Sequence, residues 1–190
     1  RRRRCPLTRR LAQFCPSCFP GQTQRPAPIV SVRPRSVRYS TVSGNDMQSA
    51  VVQFIKGSWM TGERKLLREK FSNQVQFVVS GEGFTWETQD KDRDIAAAQA
   101  GWAKAKSFIL DPTIDFVLLD EINIALRYDY IDIDEVIDFL LNEKPYMTHV
   151  CLTGRNAKTE LIEAADLVTE MEVIKHPFKG GIKAQKGIEF

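Results

Sequence analysis

The chain has 190 residues, enough for one compact domain plus an appendage. Its net charge of +3 hides a split: residues 1–45 carry ten arginines with no lysine and no acid, whereas residues 46–190 carry 17 bases against all 24 acids. An acidic body argues against a nucleic-acid partner, and the lack of any apolar run near the ~20 residues of a bilayer span argues against a membrane.

Six of the nine prolines lie in residues 1–48, which show no sustained apolar periodicity. This stretch reads as a basic, Pro/Arg-rich segment that is disordered or resembles a transit peptide. Within it only Ile29–Val32 has the makings of a short strand. Three readings stay open for the arm. A transit peptide would place the protein in the mitochondrial matrix; a misassembled terminus suits a chain that starts with Arg; a polyanion-binding arm suits the charge. The Cys15-Pro-Ser-Cys18 pair has zinc-like spacing, but without a second pair or a nearby histidine it is expected to be chance. Removal of residues 1–45 is expected to leave the folding of the body, residues 49–190, unchanged.

The body alternates strand-like and helix-like stretches. Ala50–Ile55 is an apolar run of the kind buried in a parallel sheet. Gly62–Phe71 has the pattern of a short amphipathic helix, and Val75–Ser80 that of a second strand. Asp92–Leu110 carries Ile95, Ala98, Trp102, Ala105 and Phe108 at helical spacing and stops before Pro112. Asp115–Leu119 is the most apolar strand. Asp134–Leu141 is a helix whose acidic start suits its N-terminus. His149–Leu152 is a strand, Ala157–Ala165 a helix, and Leu167–Ile174 a last strand-like stretch. Such alternation predicts an α/β fold, a mostly parallel sheet with helices on both faces.

In such sheets ligands collect at the carboxyl ends of the strands. Lys56, Asp120, Glu121 and the Thr153-Gly-Arg155 segment all fall there. Four apolar residues followed by Asp-Glu is either a magnesium-holding strand end or an ordinary buried strand meeting a polar turn. Lys56 and Arg155 are either solvated charges or phosphate contacts, the arginine able to bind in bidentate fashion. In Gly81-Glu-Gly-Phe-Thr-Trp86, Phe84 and Trp86 stand two apart, so an extended backbone points both rings the same way. Those rings either cap the edge of the core or face a flat ligand. The two histidines, His149 and His176, have no triad or metal partner nearby in sequence and read as structural.

Three stretches, Val51-Val-Gln-Phe-Ile-Lys-Gly57, Gly81-Glu-Gly-Phe-Thr-Trp-Glu-Thr-Gln89 and Phe116-Val-Leu-Leu-Asp-Glu121, together with Thr153-Gly-Arg155 and Lys183-Ala-Gln-Lys-Gly187, closely resemble the CobA/BtuR-type corrinoid adenosyltransferases. The resemblance covers roughly residues 50–190 and implies a P-loop NTPase, RecA-like fold. It implies transfer of the 5′-deoxyadenosyl group of ATP to a Co(I) corrinoid such as cobalamin, and a cytoplasmic homodimer served by a reduced, flavodoxin-like flavoprotein. By the same resemblance Phe84 and Trp86 press on the lower face of the corrinoid, Glu121 supported by Asp120 serves Mg²⁺, and Lys56 and Arg155 serve the triphosphate.

One departure stands out. Members of the family place a strand, a Gly-rich Walker A loop and a helix just before the Val-Val-Gln-Phe strand, and no G-x-x-x-x-G-K-[ST] occurs in these 190 residues. Val42-Ser-Gly-Asn-Asp-Met47 has the location but one glycine and no lysine. The central first strand is therefore missing from its usual place in the sequence. Without it, apolar faces of Val51–Ile55 and Val117–Leu119 are expected to meet water, at a cost of several kcal/mol for a few hundred Å² at ~25 cal/mol per Å². Either Ile29–Val32 partly substitutes for the strand or the chain is a defective version of a longer protein. For function, the alternative is a non-catalytic corrinoid-binding remnant or truncated gene product unable to bind ATP.

Overall fold

The computed structural model describes residues 29–31, 45–55, 62–80, 91–176 and 180–183. In chain order the elements are β1 (Ile29–Ser31), β2 (Ser49–Gln53), α1 (Gly62–Lys70), β3 (Val75–Val79), α2 (Lys91–Ile109) and β4 (Phe116–Asp120). Then come α3 (Ile122–Arg127), α4 (Ile133–Asp138) running into a π-helical turn at Phe139–Glu143, β5 (His149–Leu152), α5 (Thr159–Ala164) and β6 (Leu167–Val168). The strands form one sheet in the order β3–β2–β4–β5–β1–β6, and every pairing is parallel.

The period-2 alternation of the strands sorts their side chains onto two faces. Ala50, Val52, Val117, Leu119, Val150 and Leu152 point to the face covered by α2 to α5, where Ala98, Trp102, Ala105, Ile122, Leu126, Val136, Phe139 and Leu161 complete the larger core. Val51, Val75, Phe116, Leu118 and Cys151 point to the opposite face and meet Leu67 of α1. Helix α2 approaches the sheet closely because Gly101 has no side chain. A Cβ there would lie 2.6 Å from Ser80 Cβ and 3.1 Å from the Phe54 ring. Helix α4 starts as its acidic entry predicts, with the Asp132 carboxylate accepting from the Asp134 N–H at 2.9 Å.

The predicted strands and helices of the body are all present, with most ends shifted by one or two residues, two larger changes of extent and one addition. The last strand is Leu167–Val168 rather than Leu167–Ile174, and α4 yields to the π-helical turn at Phe139. Helix α3 had no separate sequence signal, because Ile122-Asn-Ile-Ala-Leu continues the apolar run of β4.

The sheet order corrects the expectation of exposed strands. β2 lies between β3 and β4, and β4 between β2 and β5, so Val51, Val117 and Leu119 are 1%, 0% and 0% exposed. The place that needs filling is beyond β5. There Ile29, Val30 and Ser31 pair with Val150, Cys151 and Leu152 on one side, and Val30 and Ser31 pair with Leu167 and Val168 on the other. Within the Ile29–Val32 stretch, Ile29–Ser31 is the segment that supplies the strand beyond β5.

Candidate functional site

The carboxyl ends of β2, β4 and β5 lie level, because Gln53 is in register with Asp120 and Leu119 with Leu152. The connections leaving β2 and β4 pass to opposite faces of the sheet, one through α1 and the other through α3 and α4. A crevice at such a divergence is where open α/β sheets bind ligands.

Asp120, 2% exposed, is the hub of these strand ends. Its Oδ2 accepts from the Gln53 Nε2 at 2.8 Å, and its Oδ1 accepts from the Thr153 hydroxyl at 2.9 Å. One carboxylate thus links three strands, and donors from both sides fix its plane. Thr153 does double service, since its Oγ1 also accepts the Glu121 backbone N–H at 3.1 Å. That bond holds Glu121 in the left-handed region, with φ at 62°, a conformation costing a non-glycine residue roughly 1–2 kcal/mol. Strain of this kind persists where surrounding structure over-determines it, and it clusters at functional sites.

The turn after β5 is bent in the same manner. Gly154 has φ 138° and Asn156 φ 55°, with the exposed Arg155 between them. Asn123, the second residue of α3, reaches this turn twice. Its N–H donates to Thr153 O at 3.3 Å, and its Nδ2 donates to Gly154 O at 3.4 Å.

Of the residues expected at the site, the structure brings Asp120, Glu121 and the Thr153–Arg155 turn together at adjoining strand ends. Lys56, Phe84 and Trp86 lie outside the described residues, as do Cys15, Cys18 and most of the Lys183–Gly187 segment. Sequence reasoning missed Gln53 and Asn123. A glutamine inside the apolar Val-Val-Gln-Phe run was the available signal for the first; nothing marked the second.

Among the described residues no cluster of three His, Cys, Asp or Glu side chains is placed to hold a metal, and no helix is long and apolar enough to cross a membrane. His149 lies at the amino end of β5, away from the crevice. Burial pushes its imidazole below the usual range, the nearby Lys144 charge adds to this, and Asp115 opposes it. Lys144 is itself lowered by burial, against the pull of Asp166. Its Nζ donates to the carbonyls of Pro145 at 3.1 Å and Thr148 at 3.0 Å.

Comparison with known proteins agrees with the geometry. The family described as ATP:corrinoid adenosyltransferase BtuR/CobO/CobP matches residues 39–190. A corrinoid adenosyltransferase of Sinorhizobium is 66% identical over 144 residues, covering 76% of this chain and 67% of the relative. One from Pseudomonas aeruginosa is 52% identical over 147 residues, covering 77% and 71%. One from Escherichia coli is 43% identical over 147 residues, covering 77% and 73%. With a family match over four fifths of its length and relatives at up to 66% identity, this chain belongs to the ATP:corrinoid adenosyltransferases.

Proposed function

We propose that the chain transfers the 5′-deoxyadenosyl group of ATP to the cobalt of a reduced Co(I) corrinoid, in the formation and salvage of adenosylcobalamin. The Co(I) electron pair forms the bond to the 5′ carbon, the C5′–O bond breaks, and its electron pair leaves with triphosphate. The nucleophile belongs to the substrate, so the protein needs no general base. Its work is positioning, charge stabilisation and exclusion of water.

The observation that carries this reading is the Gln53–Asp120–Thr153 bridge, which ties Glu121 to the end of β5, two residues before Arg155. Arg155 and Lys56 take the triphosphate as it gathers charge. Magnesium takes one or two protein carboxylates and leaves its other positions to water and phosphate oxygens. The pair Asp120 and Glu121 fits that demand: Asp120 is already oriented on both oxygens, and Glu121 follows it into the crevice. When bound, the ion neutralises phosphate charge. Phe84 and Trp86 form an apolar rest for the lower face of the macrocycle, where they displace its lower ligand and ease reduction of the cobalt. A reduced flavodoxin-like protein supplies the electron, the working unit is a homodimer, and the protein acts in the cytoplasm.

A second reading is favoured by one specific observation, the absence of a Walker A sequence from the 190 residues. In it the chain binds a corrinoid but not ATP. Incubation of the purified protein with cob(I)alamin, ATP and Mg²⁺, followed by absorbance, separates the two. Formation of the Co–C bond, abolished by Phe84→Ala with Trp86→Ala, is the expected result. Corrinoid binding without adenosylation would establish the second reading.

A further inference from the structure

The turns that follow β4 and β5 are clasped together, and the proposed chemistry leaves one member of the clasp without a role. Asn123 is 2% exposed. Its Nδ2 faces Gly154 O, which sets the orientation of the amide, since the opposite choice would set two carbonyl oxygens face to face. Its Oδ1 is buried and has no hydrogen-bond partner among the described residues. A leucine of similar volume would fill the same space without burying an acceptor that lacks a donor. Fold stability therefore does not account for an amide here, and its hold on the next turn does.

That turn carries Arg155. At φ 138°, Gly154 occupies a conformation open to glycine, and a Cβ added to it would lie 2.7 Å from Asn123 Cβ and 3.2 Å from the Asn123 backbone nitrogen. The start of α3 and the turn are thus in direct contact, with no room for water between them. Arg155 stands between two positive-φ residues, Gly154 and Asn156. Such a turn keeps its shape when neighbouring atoms hold it. The holding atoms are the backbone N–H and side-chain amide of Asn123.

We propose that Asn123 is a positioning residue that grips the Gly154 carbonyl and so aims the Arg155 guanidinium at the triphosphate of the nucleotide. The proposal rests on the adenosyltransferase reading, which assigns Arg155 to that group. A positioned guanidinium binds phosphate as a fork; a swinging one must give up rotational freedom at each encounter.

The test is calorimetric titration of inorganic tripolyphosphate into the full chain, its Asn123→Leu and Arg155→Ala variants and the double variant, with melting of each unliganded protein. We expect Asn123→Leu to melt within a few degrees of the parent yet bind tripolyphosphate about tenfold more weakly, the worth of one hydrogen bond. Arg155→Ala should lose at least as much, and the double variant no more than Arg155→Ala alone, because both changes remove one contact. If Asn123→Leu does not fold, Asn123→Ser gives the same comparison. Unchanged affinity in the Asn123 variant, or losses that simply add in the double variant, overturns the proposal and leaves the adenosyltransferase reading intact. A parent protein that binds corrinoid but no tripolyphosphate overturns the nucleotide reading, and this proposal with it.

Discussion

At the scale of single residues, two polar side chains carry most of what can be measured. Thr153 gives its hydroxyl hydrogen to Asp120 and takes one from the Glu121 backbone. Thr153→Val keeps the shape but removes the donor to Asp120 Oδ1 and the acceptor of the Glu121 N–H, each at about 1–3 kcal/mol. The expected loss is roughly 2–4 kcal/mol in urea unfolding, with adenosylation falling further than stability because Glu121 is released from its strained pose. His149 gives a pH signature. The folded imidazole takes its proton below the ordinary 6.5, so below that value the unfolded chain binds more protons and stability rises with pH. The His149 contribution is complete above about pH 6.5 and drains away as pH falls towards the folded value. Melting temperature from pH 7 to pH 5 should therefore fall more steeply for the parent than for His149→Asn. The place of Asp120, Glu121 and Arg155 at the ends of β4 and β5 was legible in the sequence, because each closes or follows an apolar run. Asn123 was not, because a buried amide in a short helix looks like any other polar residue until its partner turn is placed beside it.

At the scale of elements, helix α2 depends on the absence of a side chain at Gly101. Gly101→Ala gains helix propensity but drives a methyl group into Ser80 and Phe54, and overpacking of this kind costs about 1–3 kcal/mol. The variant should unfold at lower urea with an unchanged slope. Period-3.6 and period-2 patterns made α2 and the central strands readable, since their faces are dictated by burial. Helix α3 was hidden for the converse reason. Its Ile122, Ala125 and Leu126 are all buried, so no polar face breaks the apolar run, and the turn into it is made by the left-handed Glu121 rather than by glycine or proline. The shortness of β6 was unreadable because Val173 and Ile174, apolar in sequence, are 64% and 96% exposed.

At the scale of the whole molecule, the order β3–β2–β4–β5–β1–β6 makes Ile29–Ser31 part of the sheet. The expectation that residues 1–45 are dispensable for folding therefore reverses. Their deletion strips β5 and β6 of a shared neighbour and should lower the melting temperature by roughly 5 °C or more, as for a loss of about 2 kcal/mol. An unchanged melting curve would show that β5 tolerates an open edge. The parallel architecture was legible from strands alternating with helices, and Ile29–Val32 stood out as a possible strand; its place beside β5 was not legible. Three residues in a proline-rich stretch give little local signal, and their pairing is decided by partners far along the chain.

The pairing of Ile29 with Val150 has a consequence for synthesis. Ile29–Ser31 emerges before its partners β5 and β6 are made, and its place is built only after about 120 further residues have been added. At ~5–20 residues per second the wait is roughly 6–24 s. During that time a bare Ile-Val edge is open to capture by chaperones or by a neighbouring nascent chain, so the yield of native protein should fall as ribosomes on one message crowd together.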